Sequence, residues 1–276
     1  MPQDWLHRIL YALISGVAEF LPVSASAHQA LYSYLFGYDA SEPLLIFAIR
    51  LGALTAALVG CSGSLRRLLR QHRLGRQSNR RRRYVDTGAM LDLRLLKTAV
   101  IPVLISVLFY KRAGEWIDTL PWLALTLLVG GIVLFWPRVI HQGNKDGRSA
   151  SRLDGMAMGL GTALAAIPGF SRLGCTTSLG TACGMDRNYT LEVALLLSIP
   201  ALLGLTLLDL YSVIAAKTVL SGGALLWAAL SAGLSFLGGS LSMTLLRHAS
   251  ARAGLSGYSY YSWGMALLAF VLYLTI

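Results

Sequence analysis

Gly16-Val17-Ala18-Glu19-Phe20-Leu21-Pro22-Val23-Ser24-Ala25-Ser26-Ala27-His28 places a carboxylate, a proline, two hydroxyls and an imidazole inside an otherwise apolar region, 6–40. In the second half of the chain, Gly161-Thr162-Ala163-Leu164-Ala165-Ala166-Ile167-Pro168-Gly169-Phe170-Ser171-Arg172 resembles it in spacing and interrupts the apolar region 154–188. Proline and glycine break helices, and ionisable groups are expensive at membrane depth unless paired or hydrated. Broken backbone within a bilayer survives only where protein or a polar cavity surrounds it. Both stretches therefore predict re-entrant helical hairpins that face a cavity.

The rest of the chain supplies the membrane around them. Of the 276 residues, 55% are hydrophobic and 13% charged, about half the charged share of a soluble domain. The mean hydropathy is +0.59. A span needs about 20 mostly apolar residues. Stretches of about that length occur at 43–62, 95–112, 119–137, 190–211, 221–246 and 258–276. The predicted fold is all-α and integral to the membrane, with six transmembrane helices and two re-entrant hairpins in a single domain, 1–276.

Formal net charge is +11, and nine arginines lie between Arg66 and Arg83. Further basic residues mark 138–152 and 247–252. By the positive-inside rule these are cytoplasmic loops, the largest over 63–94, which are expected to touch anionic lipid rather than nucleic acid. That placement starts the first half, 1–137, outside and the second, 154–276, inside, with both termini outside. Halves of opposite orientation are an inverted repeat, and in such folds the interrupted segments meet near the midplane around a polar ligand.

Cys61, Cys175 and Cys183 lack metal or disulfide spacing and read as small buried hydrophobes. Arg8, the following apolar stretch and Ala25-Ser26-Ala27 mimic a signal peptide, but Glu19 and Pro22 interrupt it, so residues 1–28 are expected to stay.

The chemistry points to phosphate. Arg172 offers a permanently charged planar fork, with Ser171, Gly174 and Thr176 around it for hydroxyl and backbone N–H contacts, and a helix expected to begin near Thr176. Ser24 and Ser26 add hydroxyls, and Glu19 and His28 are the titratable pair. Arg50, inside the first span, either faces the cavity or snorkels to the outer interface. Asp209, Asp186 and Glu192 sit near predicted span ends and are read as interfacial or capping residues outside the site. No Walker, zinc-protease or hydrolase-elbow motif occurs.

With Glu19-Phe20-Leu21-Pro22-Val23-Ser24 and His28, and with Pro168-Gly169-Phe170-Ser171-Arg172, Gly174 and Thr176, the chain resembles the undecaprenyl pyrophosphate phosphatase (bacitracin-resistance) family. The resemblance implies a multi-pass protein of the bacterial cytoplasmic membrane with a site and both termini facing the periplasm. It also implies removal of the terminal phosphate from an isoprenoid diphosphate, recycling the cell-envelope lipid carrier, aided by a divalent cation, Mg or Ca. Carried over, Glu19 becomes an acid/base or metal-linked residue, His28 a proton carrier, and Arg172, Ser171 and Thr176 the pyrophosphate clamp. Membrane lipids and a second copy of the chain are the other candidate partners.

The chain also departs from that pattern. Ser15 replaces an acidic or amide residue, Ala25 a proposed serine nucleophile, Ala27 a glycine, Leu173 a serine and Arg50 a glutamine. These losses raise the alternative of a transporter or flippase that moves a lipid phosphate without hydrolysis.

Overall fold

The computed structural model describes residues 4–77, 87–116, 119–139, 143–253, 255 and 257–275. Among them are eleven helices and no strand. The first hairpin is α1 (Asp4–Glu19) and α2 (Ala25–Phe36). α1 stops just before Pro22, because proline disfavours helical backbone in the preceding residue. Ser24 starts α2 by accepting the Ala27 amide at 3.3 Å, and Gly37, at φ 59°, ends it in the left-handed conformation.

The second hairpin is α7 (Arg152–Leu164) and α8 (Arg172–Ala182), and it repeats the device. Ser151 and Asp154 form a reciprocal capping box on α7. Ser171 caps α8 by accepting the Gly174 amide at 3.2 Å. Thus α8 begins at Arg172, four residues earlier than the sequence reading placed it. Between the two helices Gly169, at φ +102°, lets the chain turn against Thr126, where no side chain would fit.

These four helices have 16, 12, 13 and 11 residues, each too short to cross a bilayer alone. Each hairpin also returns to the side from which it started. Around the second, the Lys145 amide donates to the Gly184 carbonyl at 3.1 Å and the Asp186 amide donates to the Lys145 carbonyl at 2.9 Å. Around the first, His7 stacks on Tyr38, with ring centroids 5.5 Å apart.

α3 (Pro43–Gly60), α5 (Thr87–Trp116), α6 (Leu120–Val139), α9 (Arg187–Ala215) and α10 (Gly222–Ala253) contain five candidate spans by length and composition. α11 (Gly257–Thr275) is the sixth long helix, apolar in its second half and tyrosine-rich in its first. Large apolar side chains such as Leu108, Leu207, Leu241 and Leu267 are exposed on these helices, as lipid-facing residues would be. Asp186 caps α9 as expected, accepting the Asn188 and Tyr189 amides.

The basic segment is not simply a loop. Residues 62–77 form α4 (Ser62–Gln77), which packs against α5, and α5 itself begins at Thr87 inside the expected loop. The arginine density conceals an apolar stripe: Leu65 and Leu68, three apart, turn inward, while Arg66, Arg70 and Arg73 are exposed. The run Arg80 to Arg83 lies outside the described residues.

Packing follows the inverted repeat. α1 packs on α10 as α7 packs on α5, α10 on α3 as α5 on α9, and α3 with α9 and α6 with α11 bridge the halves. Both hairpin contacts use a glycine against backbone. A Cβ on Gly16 would stand 2.4 Å from the Ser235 carbonyl oxygen, and one on Gly159 would stand 2.2 Å from that of Ala99. Such close approach is how membrane helices gain van der Waals contact without a hydrophobic driving force. Gly159→Ala is expected to cost about 1–3 kcal/mol by pushing α7 off α5, read as a lower unfolding midpoint in detergent.

Candidate phosphate site where the hairpins meet

The two hairpin tips touch. Arg172 Nη1 lies 2.8 Å from Glu19 Oε1, and the Ser171 hydroxyl donates to the Leu21 carbonyl at 3.3 Å. Glu19 is the last residue of α1 and Arg172 the first of α8. A carboxylate at a helix C-terminus and a cation at an N-terminus both oppose the local helix dipole. Each therefore needs a compensating charge, and each finds the other. The side chains are only 17% and 11% exposed, so water does little to screen them.

A second ion pair faces the same space. Arg50, seven residues into α3 and so about 10 Å below its start, points Nε at Asp209 Oδ2 of α9, 3.1 Å away. Its Nη2 donates to the Tyr110 hydroxyl at 3.2 Å, and its guanidinium carbon lies 5.0 Å from the centroid of the Tyr110 ring. Of the two readings of Arg50, the cavity holds. The reading of Asp209 as an interfacial residue outside the site is corrected: α9 runs on to Ala215, so Asp209 lies within the helix, buried.

The cavity between these pairs has a volume of about 400 Å³, within the range of small-molecule sites. Ser41, Pro43, Tyr110 and Ser212 line its outer part, from the ends of α3, α5 and α9 opposite α4, and Ala165, Phe170 and Ser171 line it at the tip of the second hairpin.

The family model described as Bacitracin resistance protein BacA matches residues 8–268. The chain belongs to the BacA bacitracin resistance family. It is 34% identical to a protein named undecaprenyl-diphosphatase from Jannaschia sp., over 86% of each chain. It is 32% identical to one of the same name from Syntrophotalea carbinolica, over 98% of this chain and 99% of the relative. Another from Methanobrevibacter smithii is 29% identical over 97% of each.

In this BacA chain, the sequence-predicted residues Glu19, Ser24, Ser26, Arg50, Ser171 and Arg172 all line the cavity. Ser24, at φ 63°, holds a backbone conformation rare for a residue with a side chain, and its hydroxyl lies 3.3 Å from that of Ser26. Ala25 lines the cavity between them without a hydroxyl.

Three predicted residues do not line it. His28 turns to α11: Nδ1 lies 2.8 Å from the Ser24 carbonyl, which only accepts, so in the neutral ring Nδ1 donates there. Nε2 then accepts from the Tyr261 hydroxyl at 2.6 Å, with the two rings parallel. The fully buried Thr176 hydroxyl donates to the Arg172 carbonyl at 2.7 Å and meets that of Thr162 at 2.8 Å, tying α8 to α7. The Gly174 amide is taken by the Ser171 cap. Thus two of the hydroxyl and glycine positions around Arg172 build the hairpin.

Tyr11, Ser15, Gln29, Tyr110, Asp209 and Ser212 line the cavity and were not singled out as site residues. Ser15 accepts the Gln29 side-chain amide at 3.0 Å.

The donor set does not fit a divalent cation held by protein alone. Among the described residues no three His, Cys, Asp or Glu side chains gather as metal ligands. The carboxylates lining the cavity, Glu19 and Asp209, each already face an arginine. Thr176→Val is expected to cost about 1 kcal/mol of stability through the lost hydroxyl bonds while leaving lipid-phosphate affinity within twofold, measured by thermal unfolding and titration calorimetry.

Proposed function

We propose that the chain is a membrane phosphohydrolase that removes the terminal phosphate of undecaprenyl diphosphate and so returns a lipid carrier for cell-envelope synthesis. The observation that carries this reading is the Arg172–Glu19 pair, set where the two hairpin tips meet, in a cavity also lined by Ser24, Ser26 and Ser171. The names of the relatives support it.

In this reading the terminal phosphate binds Arg172, whose planar fork suits phosphate oxygens, at the N-terminus of α8, where the dipole favours an anion. The phosphate thereby shares the charge that balanced Glu19. Glu19, released from part of that pairing, is placed to accept a proton. Water attacks the terminal phosphorus and gives its proton to Glu19. The bond from that phosphorus to the bridging oxygen breaks, and its electron pair leaves with the lipid monophosphate. Ser24 and Ser26 donate to the phosphate oxygens as charge spreads over them. Direct attack by water suits a cavity in which position 25 is alanine. A divalent cation, whose ligands the described residues do not supply, would partly neutralise the charge of the diphosphate.

The basic α4 side is assigned to the cytoplasm of a bacterial cytoplasmic membrane. The cavity mouth, the first hairpin and both termini then face the periplasm. The charge asymmetry of the sequence supports this orientation.

Purified protein in detergent is expected to release phosphate from undecaprenyl diphosphate, and Arg172→Ala to lower kcat/KM by about 100-fold or more. No release by the wild-type protein, with or without Mg2+ or Ca2+, would overturn the reading. It would leave lipid movement without hydrolysis, the activity that the inverted repeat otherwise suggests.

A further inference from the structure

His28 has the chemistry to carry a proton, but both nitrogens of its ring are spent outside the cavity that holds Glu19 and Arg172. Nδ1 donates to the Ser24 carbonyl at 2.8 Å, and Nε2 accepts from the Tyr261 hydroxyl of α11 at 2.6 Å. The ring thus links two residues that are far apart in the chain.

The residue at one end of the link is strained. Ser24 holds φ 63° as the N-cap of α2, a conformation that persists only where its surroundings over-determine it, and its hydroxyl lines the cavity beside that of Ser26. The residue at the other end is anchored. Next to Tyr261, the Ser262 hydroxyl donates to the Leu127 carbonyl of α6 at 2.8 Å, and the Trp263 indole donates to the Leu128 carbonyl at 3.2 Å. The same stretch of α6 backs the other hairpin. A Cβ on Gly169 would stand 2.0 Å from Thr126 Oγ1, and one on Gly130 would stand 3.3 Å from the Gly169 carbonyl oxygen. About one turn of α6 therefore supports the tip that carries Arg172 directly, and the tip that carries Ser24 by way of α11.

We propose that His28 is a positioning residue: through Tyr261 it registers the first hairpin tip on the α6–α11 pair that also carries the second, and so sets the Ser24 and Ser26 hydroxyls against Arg172. This rests on the reading of the cavity as a phosphohydrolase site. Ala27 and Leu31 bring α2 to that pair by packing with Leu123, Leu127 and Ala266. Apolar contact has no direction, whereas a hydrogen bond prefers one geometry, so the packing brings α2 close and the His28 link fixes its register. The link needs an acceptor for the tyrosine hydroxyl, not a titrating proton. Tyr261, outside the cavity, thereby becomes a determinant of turnover.

The test is phosphate release from undecaprenyl diphosphate by the purified full chain in detergent, followed as kcat and KM across about pH 5 to 9, with thermal unfolding of every variant. Tyr261→Phe keeps the ring and removes the hydroxyl; it is expected to lower kcat about tenfold, as the loss of one well-placed hydrogen bond can, and to change KM by about twofold at most. His28→Ala should fall at least as far. The double variant should lie within about twofold of His28→Ala alone, because the two residues act as one link. The amide oxygen of His28→Gln reaches about as far as Nε2 and can accept from the tyrosine, but it carries no proton. That variant should recover most of the loss and keep every limb of the wild-type pH profile. A lower unfolding temperature in Tyr261→Phe and His28→Ala with kcat unchanged would mark the link as merely structural and overturn the proposal. His28→Gln as inactive as His28→Ala, with a limb of the profile gone, would make His28 a proton carrier and overturn it too. Either result leaves the cavity a phosphohydrolase site, whereas no release by wild type would overturn that reading and this role together.

Discussion

Everything in this molecule hangs on a charge pair placed against its own helices. Glu19 ends α1 and Arg172 begins α8, so each meets a helix terminus of its own sign, and each lies where water is scarce. Alone, either position would carry a dipole penalty of about 0.3–1 kcal/mol, more when partly buried, beyond the cost of burying the charge itself. Together they cancel, but only if the two hairpin tips stand in contact. The pair is thus both the clasp of the fold and a site held at high potential.

That contact explains the rest of the architecture. The two tips belong to opposite halves of the chain, and the helix contacts pair off between those halves as an inverted repeat requires. The tips need backbone close to backbone, hence Gly16 against Ser235 and Gly159 against Ala99. The helix termini freed at the tips need partners, hence the matching caps Ser24 and Ser171. The space beside them cannot be filled by lipid, because it is lined by ion pairs and hydroxyls, and so it becomes a cavity fit for a charged headgroup. The phosphate chemistry we propose rests on the same two residues that close the fold.

How much of this was legible beforehand depended on distance along the chain. Glu19, Ser24, Ser26, Ser171 and Arg172 could be read because they crowd around prolines within two short stretches, and the spans could be read from length and hydropathy alone. Asp209 and Tyr110 could not, since their meeting with Arg50 joins three helices remote in sequence. A signal for Asp209 existed: it is an aspartate inside an apolar run, the rule already applied to Glu19, but the span was drawn to end at 211 whereas α9 reaches Ala215. Thr176 and Gly174 were read as ligands because composition cannot say which way a hydroxyl points, and helix caps use the same residue types as anion sites. His28 has the chemistry of a proton carrier, yet its position one turn into α2 directs it to Tyr261 on α11. α4 was hidden because arginine density masked its leucine spacing.

The central claim is tested most directly by exchanging the two charges, Glu19→Arg with Arg172→Glu, and measuring thermal unfolding in detergent beside each single substitution. The exchange keeps the pair and turns both charges to suit their helix ends. The account predicts that each single variant unfolds at a lower temperature than wild type, and that the exchanged protein unfolds at or above the wild-type temperature while losing phosphate binding. An exchanged protein no more stable than the single variants would contradict it.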